Sequence, residues 1–423
     1  MPASRPSGGR HEPSTAGCLV TTLGYHHSSS PLHGRPLDPR DAELLGPSAT
    51  DRVERVLRVR GGDAPTTLHA LPGLAAGLGI AALHVKDEGT RLGLGSFKAL
   101  GGAYALMILV LEEAARVLGR DVDVEEPLTD DVRAVAAGMT FACATDGNHG
   151  RSVAQGVAVV GAKAVIFVHE GVSDERVDAI ARFGAEMVRV EGGYDHSVRE
   201  AARVAEERGW TVLSDTSWPG YERIPGLVSQ GYTVLVREAL AALPRPPTHV
   251  FLQAGVGGFA AAVAGHLALV LGEDRPHVTI VEPERAACVY ESAKAGELVT
   301  VDSSRSTIMA MLECHQPSFV ALRVLDRVAD GYMTVGEDEA PAAMRRLAEP
   351  IAGDPPIVAG ESGCVGLAGV LAVLRQPVVA ERIGIGPDAR VLVVNTEGAT
   401  DPGMYSRLVG KSPVDVLEST PWN

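Results

Sequence analysis

Four short stretches of this chain carry side chains able to do chemistry at the ends of strands and helices. The first runs Lys86-Asp87-Glu88-Gly89-Thr90-Arg91-Leu92-Gly93-Leu94-Gly95-Ser96-Phe97-Lys98-Ala99-Leu100-Gly101-Gly102, from a predicted strand end through a glycine-rich loop into a predicted helix. Lys98 is flanked by Phe97, Ala99 and Leu100, so its amine is expected in partly apolar surroundings, where desolvation lowers its pKa. A neutral amine is the form that condenses with an aldehyde. Taken alone, a surface lysine in a first helical turn is the commoner reading of that spacing. The second stretch is Ala144-Thr145-Asp146-Gly147-Asn148-His149-Gly150-Arg151, after a predicted buried strand and before a helix. Ligands in open α/β sheets bind at the carboxyl ends of strands. There Asp146 offers a carboxylate and Asn148 an amide able to hydrogen-bond a ring hydroxyl, although both types also serve as N-caps and turn formers. The third, Gln253-Ala254-Gly255-Val256-Gly257-Gly258-Phe259, lets backbone N–H groups approach a phosphate at a helix N-terminus. It is neither Gly-x-Gly-x-x-Gly nor a Walker loop, so no dinucleotide or nucleoside triphosphate is implied. The fourth, Val394-Asn395-Thr396-Glu397-Gly398, puts the Thr396 hydroxyl at a strand terminus, as an ordinary turn also would.

The elements that must position these groups alternate. Leu83–Val85, Thr140–Ala144, Ala164–Val168, Met187–Val190, Val250–Leu252, Val278–Val281 and Val391–Val394 read as strands. Phe97–Leu118, Asp174–Phe183, Val198–Arg208, Ile224–Leu240, Phe259–Leu271 and Ala340–Leu347 read as helices. Strand, helix and strand at this spacing mean βαβ units and mainly parallel sheets with helices on both faces. Linker-like composition occurs at Leu243–Pro247 and Pro350–Pro356. Residues 1–42 read as a flexible arm, mixing Ser, Gly, Pro, His and Arg without the apolar core of a secretory signal. His26 and His27 lie in it beside a serine run, with no Cys or carboxylate at ligand spacing, so no metal is expected.

The chain has 423 residues, 45% hydrophobic and 22% charged, which suits two large globular domains or one elaborated domain and excludes extensive disorder. Its net charge of −15 argues against nucleic acid or an anionic membrane as principal partner. The longest apolar run, Ala103 to Leu111, is far short of the about 20 residues a membrane helix needs. Five cysteines, sparse and odd in number, fit a reduced, cytoplasmic protein without a disulfide framework.

A lysine at a helix start, an asparagine-bearing loop, a glycine-rich phosphate loop and a strand-terminal hydroxyl, in that order, suit pyridoxal 5′-phosphate. The order resembles the fold type II, tryptophan synthase β-like enzymes, in which Ser-Phe-Lys carries the cofactor-binding lysine. The likeness narrows to the diaminopropionate ammonia-lyase family through the motifs around Lys98 and Asp146. Asp215-Thr216 with Trp218, Gly220-Tyr221-Glu222, Ile224-Pro225 and Gln230-Gly231-Tyr232 add to it, as do Val281-Glu282-Pro283, Thr307-Ile308-Met309-Ala310, Gly360-Glu361-Ser362-Gly363 and Thr396-Glu397-Gly398. It spans about residues 60 to 405. Two departures bear on the substrate. Gly95-Ser96 stands where the family usually has Asn-Ala and leans toward the serine/threonine dehydratases, and Cys314-His315-Gln316-Pro317 replaces a Cys-Gly-Glu-Pro-type loop.

The resemblance implies an α/β fold of two open, twisted, mostly parallel sheets flanked by helices, with the cofactor in the cleft between domains. Residues 43–96 and 226–423 would form the large domain and 97–225 the small one. It implies α,β-elimination of D- or L-2,3-diaminopropionate to pyruvate and two ammonia. Lys98 would act on one face of the substrate and Asp146 on the other, with Asp215 holding the β-ammonium group. Phe97, Lys98, Asn148, Gly255, Val256, Gly257, Gly258 and Thr396 would hold the cofactor, Thr396 facing the pyridine nitrogen. A homodimer is the family expectation. A serine/threonine dehydratase-like or other β-eliminating ammonia-lyase of this fold is the nearest alternative, and a pyridoxal phosphate sensor without turnover a remoter one. Cys288 and Cys314 would flank the pocket, either paired or as plain thiols.

Overall fold

The computed structural model describes residues 24–145, 147–351 and 353–418. Among the described residues there are eleven strands: β1 (Tyr25–His27), β2 (Leu68–Ala70), β3 (Ala82–Asp87), β4 (Thr140–Ala144), β5 (Lys163–His169), β6 (Glu186–Val190), β7 (Thr211–Val212), β8 (His249–Gln253), β9 (His277–Pro283), β10 (Gly331–Val335) and β11 (Arg390–Asn395). They form a seven-stranded sheet, β1-β10-β9-β8-β11-β3-β2, and a four-stranded sheet, β6-β5-β4-β7. Every strand pairing is parallel except those of the two edge strands of the larger sheet, β1 with β10 and β2 with β3. Mostly parallel sheets with flanking helices are the architecture that the alternation of elements implies, and two of them are what the family resemblance implies. Each residue of β8 is buried, the unbroken burial of a strand covered on both faces. No helix among the described residues is long and apolar enough to cross a membrane.

The expected loose arm gives way to packed structure from Gly24 onward, whereas residues 1–23 lie outside the described residues. Tyr25, His26 and His27 pair with Met333, Tyr332 and Gly331. Behind them Asp41 is buried in an ion pair with Arg323 at 2.7 Å. A three-residue edge strand has no periodicity of its own; only its long-range pairing defines it. Among the described residues no cluster of His, Cys, Asp and Glu could hold a metal.

The helix Lys98–Leu118 is buried on most of its faces because other helices pack around it. Its start is crossed closely by the helix Arg223–Gly231: a Cβ on Gly231 would lie 2.8 Å from the Gly101 Cα, and one on Gly101 2.6 Å from the Tyr232 ring. The recurrent Gly101 and Gly231 motifs are therefore the two sides of one backbone contact. The loop before Lys98 is fixed by a buried ionic cluster. Arg91 meets Glu88 at 2.7 Å and Glu238 at 2.6 Å, and Lys86 reaches Glu238 at 2.5 Å and the Thr66 carbonyl at 2.7 Å. Buried charges persist only when paired in this way. The Lys86-Asp87-Glu88 and Arg91 positions thus anchor the loop that presents Lys98.

Candidate active site

The two sheets face a single cavity lined by Phe97, Lys98, Asn148, Asp215, the Gly255–Gly258 turn and Thr396. Every described residue expected at the site is thereby brought together; Asp146 lies outside the described residues. Lys98 reaches the cavity because the segment before it is stitched to the end of β11. The Phe97 N–H donates to the Thr396 carbonyl at 3.0 Å, and the Gly398 N–H to the Gly95 carbonyl at 3.0 Å. Phe97 lies under the lysine, packed against Tyr232 and Phe259 with ring centroids 4.7 and 4.6 Å apart.

The Lys98 ammonium forms an ion pair with the Asp215 carboxylate. This corrects the expectation that apolar neighbours lower the lysine pKa. Burial, the largest single influence, would do so alone, but the Asp215 charge and hydrogen bond together with the nearby Tyr232 outweigh it, and the amine is raised above the ordinary lysine value. The converse holds for Asp215: burial pushes it up, and the Lys98 charge and hydrogen bond pull it below the usual carboxylate range. His149 is buried and its pKa is lowered, chiefly by desolvation. Its Nε2 lies 3.1 Å from the Leu213 carbonyl, which can only accept, so Nε2 carries the proton. The bare Nδ1 faces Asp215 at 4.0 Å.

Thr396 Oγ1 accepts from Gln253 Nε2 at 2.9 Å, and the same amide nitrogen reaches the Gly363 carbonyl at 2.7 Å. With the lone pair engaged, the hydroxyl hydrogen is left to donate into the cavity. On another wall Gly257 holds φ at 91°, a left-handed conformation that suits glycine, and caps the helix Gly258–Leu271 without a side chain. The first N–H groups of that 14-residue helix have no intrahelical partner and carry the positive end of its dipole.

Asn148 Nδ2 donates to Glu397 Oε2 at 2.6 Å. Glu397 is 2% exposed, and its other oxygen has no partner. Burial, then the nearby Glu361 carboxylate, pushes its pKa up to about 8, against the pull of the Asn148 hydrogen bond. A glutamate in the unfolded chain titrates near 4.5, so folding takes up a proton between these values. Stability therefore falls as pH rises from about 4.5 to about 8 and is flat above that. Glu397→Gln abolishes this titration. Relative to wild type it should gain on the order of a few kcal/mol across that window, read as denaturant midpoints at pH 5 and pH 9. An equal difference at both pH values would show an ordinary carboxyl.

Sequence reasoning assigned no role to Glu397, Gln253, His149 or Tyr232, nor to Met311, whose segment closes the cavity. Glu397 and Tyr232 sit inside motifs that were noticed, and that was the available signal. Cys288 and Cys314 are not joined to each other and both stand close to Gly255: the Cys288 Sγ is 3.5 Å from its carbonyl, and a Cβ on Gly255 would lie 2.9 Å from the Cys314 Sγ.

A model of the pyridoxal-phosphate dependent enzyme family matches residues 59–397. The diaminopropionate ammonia-lyase of Escherichia coli K12 is 41% identical over 352 residues, which are 82% of this chain and 87% of that protein. That of Salmonella typhimurium is 37% identical, over 82% of this chain and 88% of its own. The crystal structure of the Escherichia coli enzyme in complex with D-serine superposes with a TM-score of 0.82 at 37% identity, covering 93% of this chain and 99% of that one. An amine–carboxylate pair facing a glycine-lined helix terminus, on this fold and at these identities, places the chain in the diaminopropionate ammonia-lyase family of pyridoxal-phosphate dependent enzymes.

Proposed function

We propose that this chain catalyses the pyridoxal 5′-phosphate-dependent α,β-elimination of 2,3-diaminopropionate, consuming one water and giving pyruvate and two ammonia. The observation that carries the proposal is the Lys98–Asp215 ion pair, set between the helix terminus at Gly258 and the Thr396 hydroxyl in one cavity. The cavity fits the cofactor. Gly255, Val256, Gly257 and Gly258 would hold its phosphate, because unpartnered N–H groups at a helix start favour an anion. Thr396, with its hydrogen free, would meet the pyridine nitrogen; Asn148 would meet the ring oxygen, Phe97 would border the ring, and Lys98 Nζ would bind the carbonyl carbon. When bound, the cofactor supplies an electron sink that acidifies the substrate Cα–H.

The remaining work falls to the chain's own groups. Lys98 Nζ takes the α-proton from one face, and Asp146 carries the other face by family resemblance. Asp215, held ionised, accepts the β-ammonium group and keeps it protonated until it leaves. The pairing of this carboxylate with the lysine ammonium supports that role, since one ammonium stands where another would be held. A donor hydroxyl at position 396, rather than a carboxylate, would leave the pyridine nitrogen unprotonated and favour prompt β-elimination over racemisation. The residue 97–225 lobe, which contains the four-stranded sheet, would form the small domain against a large domain of residues 43–96 and 226–423. The free thiols of Cys143, Cys288 and Cys364 support a reducing, cytoplasmic location, and family resemblance supports a homodimer.

Purified protein given D- or L-diaminopropionate should release two ammonia per pyruvate; one ammonia per pyruvate, from serine or threonine alone, would make it a dehydratase. In the same assay Asp146→Asn should slow the D-isomer by about 10²- to 10⁴-fold and leave the L-isomer within a few-fold. Equal losses on both isomers would remove Asp146 from its one-face role.

A further inference from the structure

A second chamber, of about 410 Å³, adjoins the Lys98 cavity, and Gly147, Asn148 and Met311 line both. Its outer wall carries Arg151, Arg176 and Arg407. Among the described residues no carboxylate is within ion-pair distance of any of these guanidinium groups. Among the described residues the buried Arg151 Nε has no hydrogen-bond partner, and Arg407 Nη2 lies 3.7 Å from the Met404 sulfur. Three helices also begin on this wall, at Asn148, Asp174 and Pro402, and turn their positive ends toward it.

The acidic groups on the wall offset this charge only in part: against three guanidinium groups stand Asp401, whose Oδ1 accepts from the Met404 N–H at 2.7 Å, and the exposed Glu175. Behind the wall Glu361 and Glu397 are buried, and burial keeps Glu397 largely protonated at neutral pH. The result is a cationic room beside the reaction cavity in a chain of net charge −15. Charge sorts the reactants. Diaminopropionate enters with two amines and one carboxylate, and ammonia leaves neutral or cationic. Pyruvate alone carries a net negative charge.

We propose that the chamber of Arg151, Arg176 and Arg407 is a monocarboxylate site that receives pyruvate as it leaves the Lys98 cavity, an inference that rests on the elimination reaction proposed above. Occupation of this room does not require an empty reaction cavity, so added pyruvate should lower kcat and not merely compete with substrate.

The test uses the holoenzyme, following ammonia release from diaminopropionate with pyruvate added. In wild type the inhibition should contain a non-competitive component. In the Arg176→Gln/Arg407→Gln double variant that component should weaken about tenfold or more, with kcat/KM within about twofold of wild type. Arg176→Lys should keep part of it. Saturation-transfer NMR of pyruvate on the resting protein gives a readout free of turnover, and the double variant should lose most of the signal. Purely competitive inhibition of wild type, or unchanged inhibition and NMR signal in the double variant, would overturn the site. A protein that makes no pyruvate from diaminopropionate would overturn the reaction instead, while the NMR titration still scores the chamber.

Discussion

Lys98→Ala is expected to abolish ammonia release from both isomers of diaminopropionate, by at least about a thousandfold, because one atom is asked to do two things. Among the described residues Nζ is the only amine lining the cavity, so no other of them can bind an aldehyde carbon there. It also faces the site as a base, a role worth about 10²- to 10⁴-fold when removed singly. The substitution leaves Asp215 without its cation, and burial then drives that carboxyl upward. A loss of activity could thus reflect misplaced charge, and Lys98→Arg separates the causes. A guanidinium can still pair with Asp215 but does not condense with an aldehyde, so Lys98→Arg should unfold near the wild-type temperature and remain inactive. A readout independent of turnover is the visible absorbance of the purified protein, which both variants should lose. After borohydride reduction, the tryptic fragment of wild type containing Lys98 should carry the mass of the cofactor. Added mass on another lysine, or a variant that stays active, would end the assignment of Lys98.

How much of this was legible in the sequence depended on the distance over which each feature is defined. Strands such as β8 and β11 announce themselves as short apolar runs, since both faces are buried. β1 does not: Tyr25–His27 is a strand only because β10 lies beside it, some 300 residues on. The predicted helix Ile224–Leu240 is two helices, Arg223–Gly231 and Thr233–Ala242, meeting at Tyr232. Nothing in its local periodicity marks the joint, which falls where Gly231 crosses Gly101. The site follows the same rule. Lys98, Asn148, the Gly255–Gly258 turn and Thr396 were visible as strand and helix ends of suitable chemistry. The charge state of Lys98 was misread because its near neighbours are apolar and its partner is 117 residues away. The role of Glu397, though the residue lies in a recognisable motif, is hidden because its hydrogen bond to Asn148 spans 249 residues.

Asp215→Asn should cost about 10²- to 10⁴-fold in turnover of diaminopropionate, and the manner of the loss distinguishes two roles for the carboxylate. In the first role it acts on Lys98. With Asp215 neutral, burial becomes the dominant influence on the lysine, and its pKa should drop from above to below the ordinary value. The stability consequence has a definite sign. A lysine raised on folding stabilises at every pH below its unfolded value, and a lowered aspartate stabilises above its own, near 3.8. The pair is therefore fully effective from about pH 5 to 10, and the variant should be less stable throughout that range, by about 1–3 kcal/mol for a partly exposed pair. In the second role the carboxylate serves the leaving group. Ammonia is a poor leaving group unless the β-nitrogen is protonated, whereas chloride needs no proton. If Asp215 holds the β-ammonium, Asp215→Asn should lose diaminopropionate turnover while β-chloroalanine elimination stays within about tenfold of wild type. Equal losses on both substrates would mean that the carboxylate acts through Lys98 alone. The leaving amine would then depart without its help, and selectivity for an amine over a hydroxyl or halide would have to come from another part of the cavity.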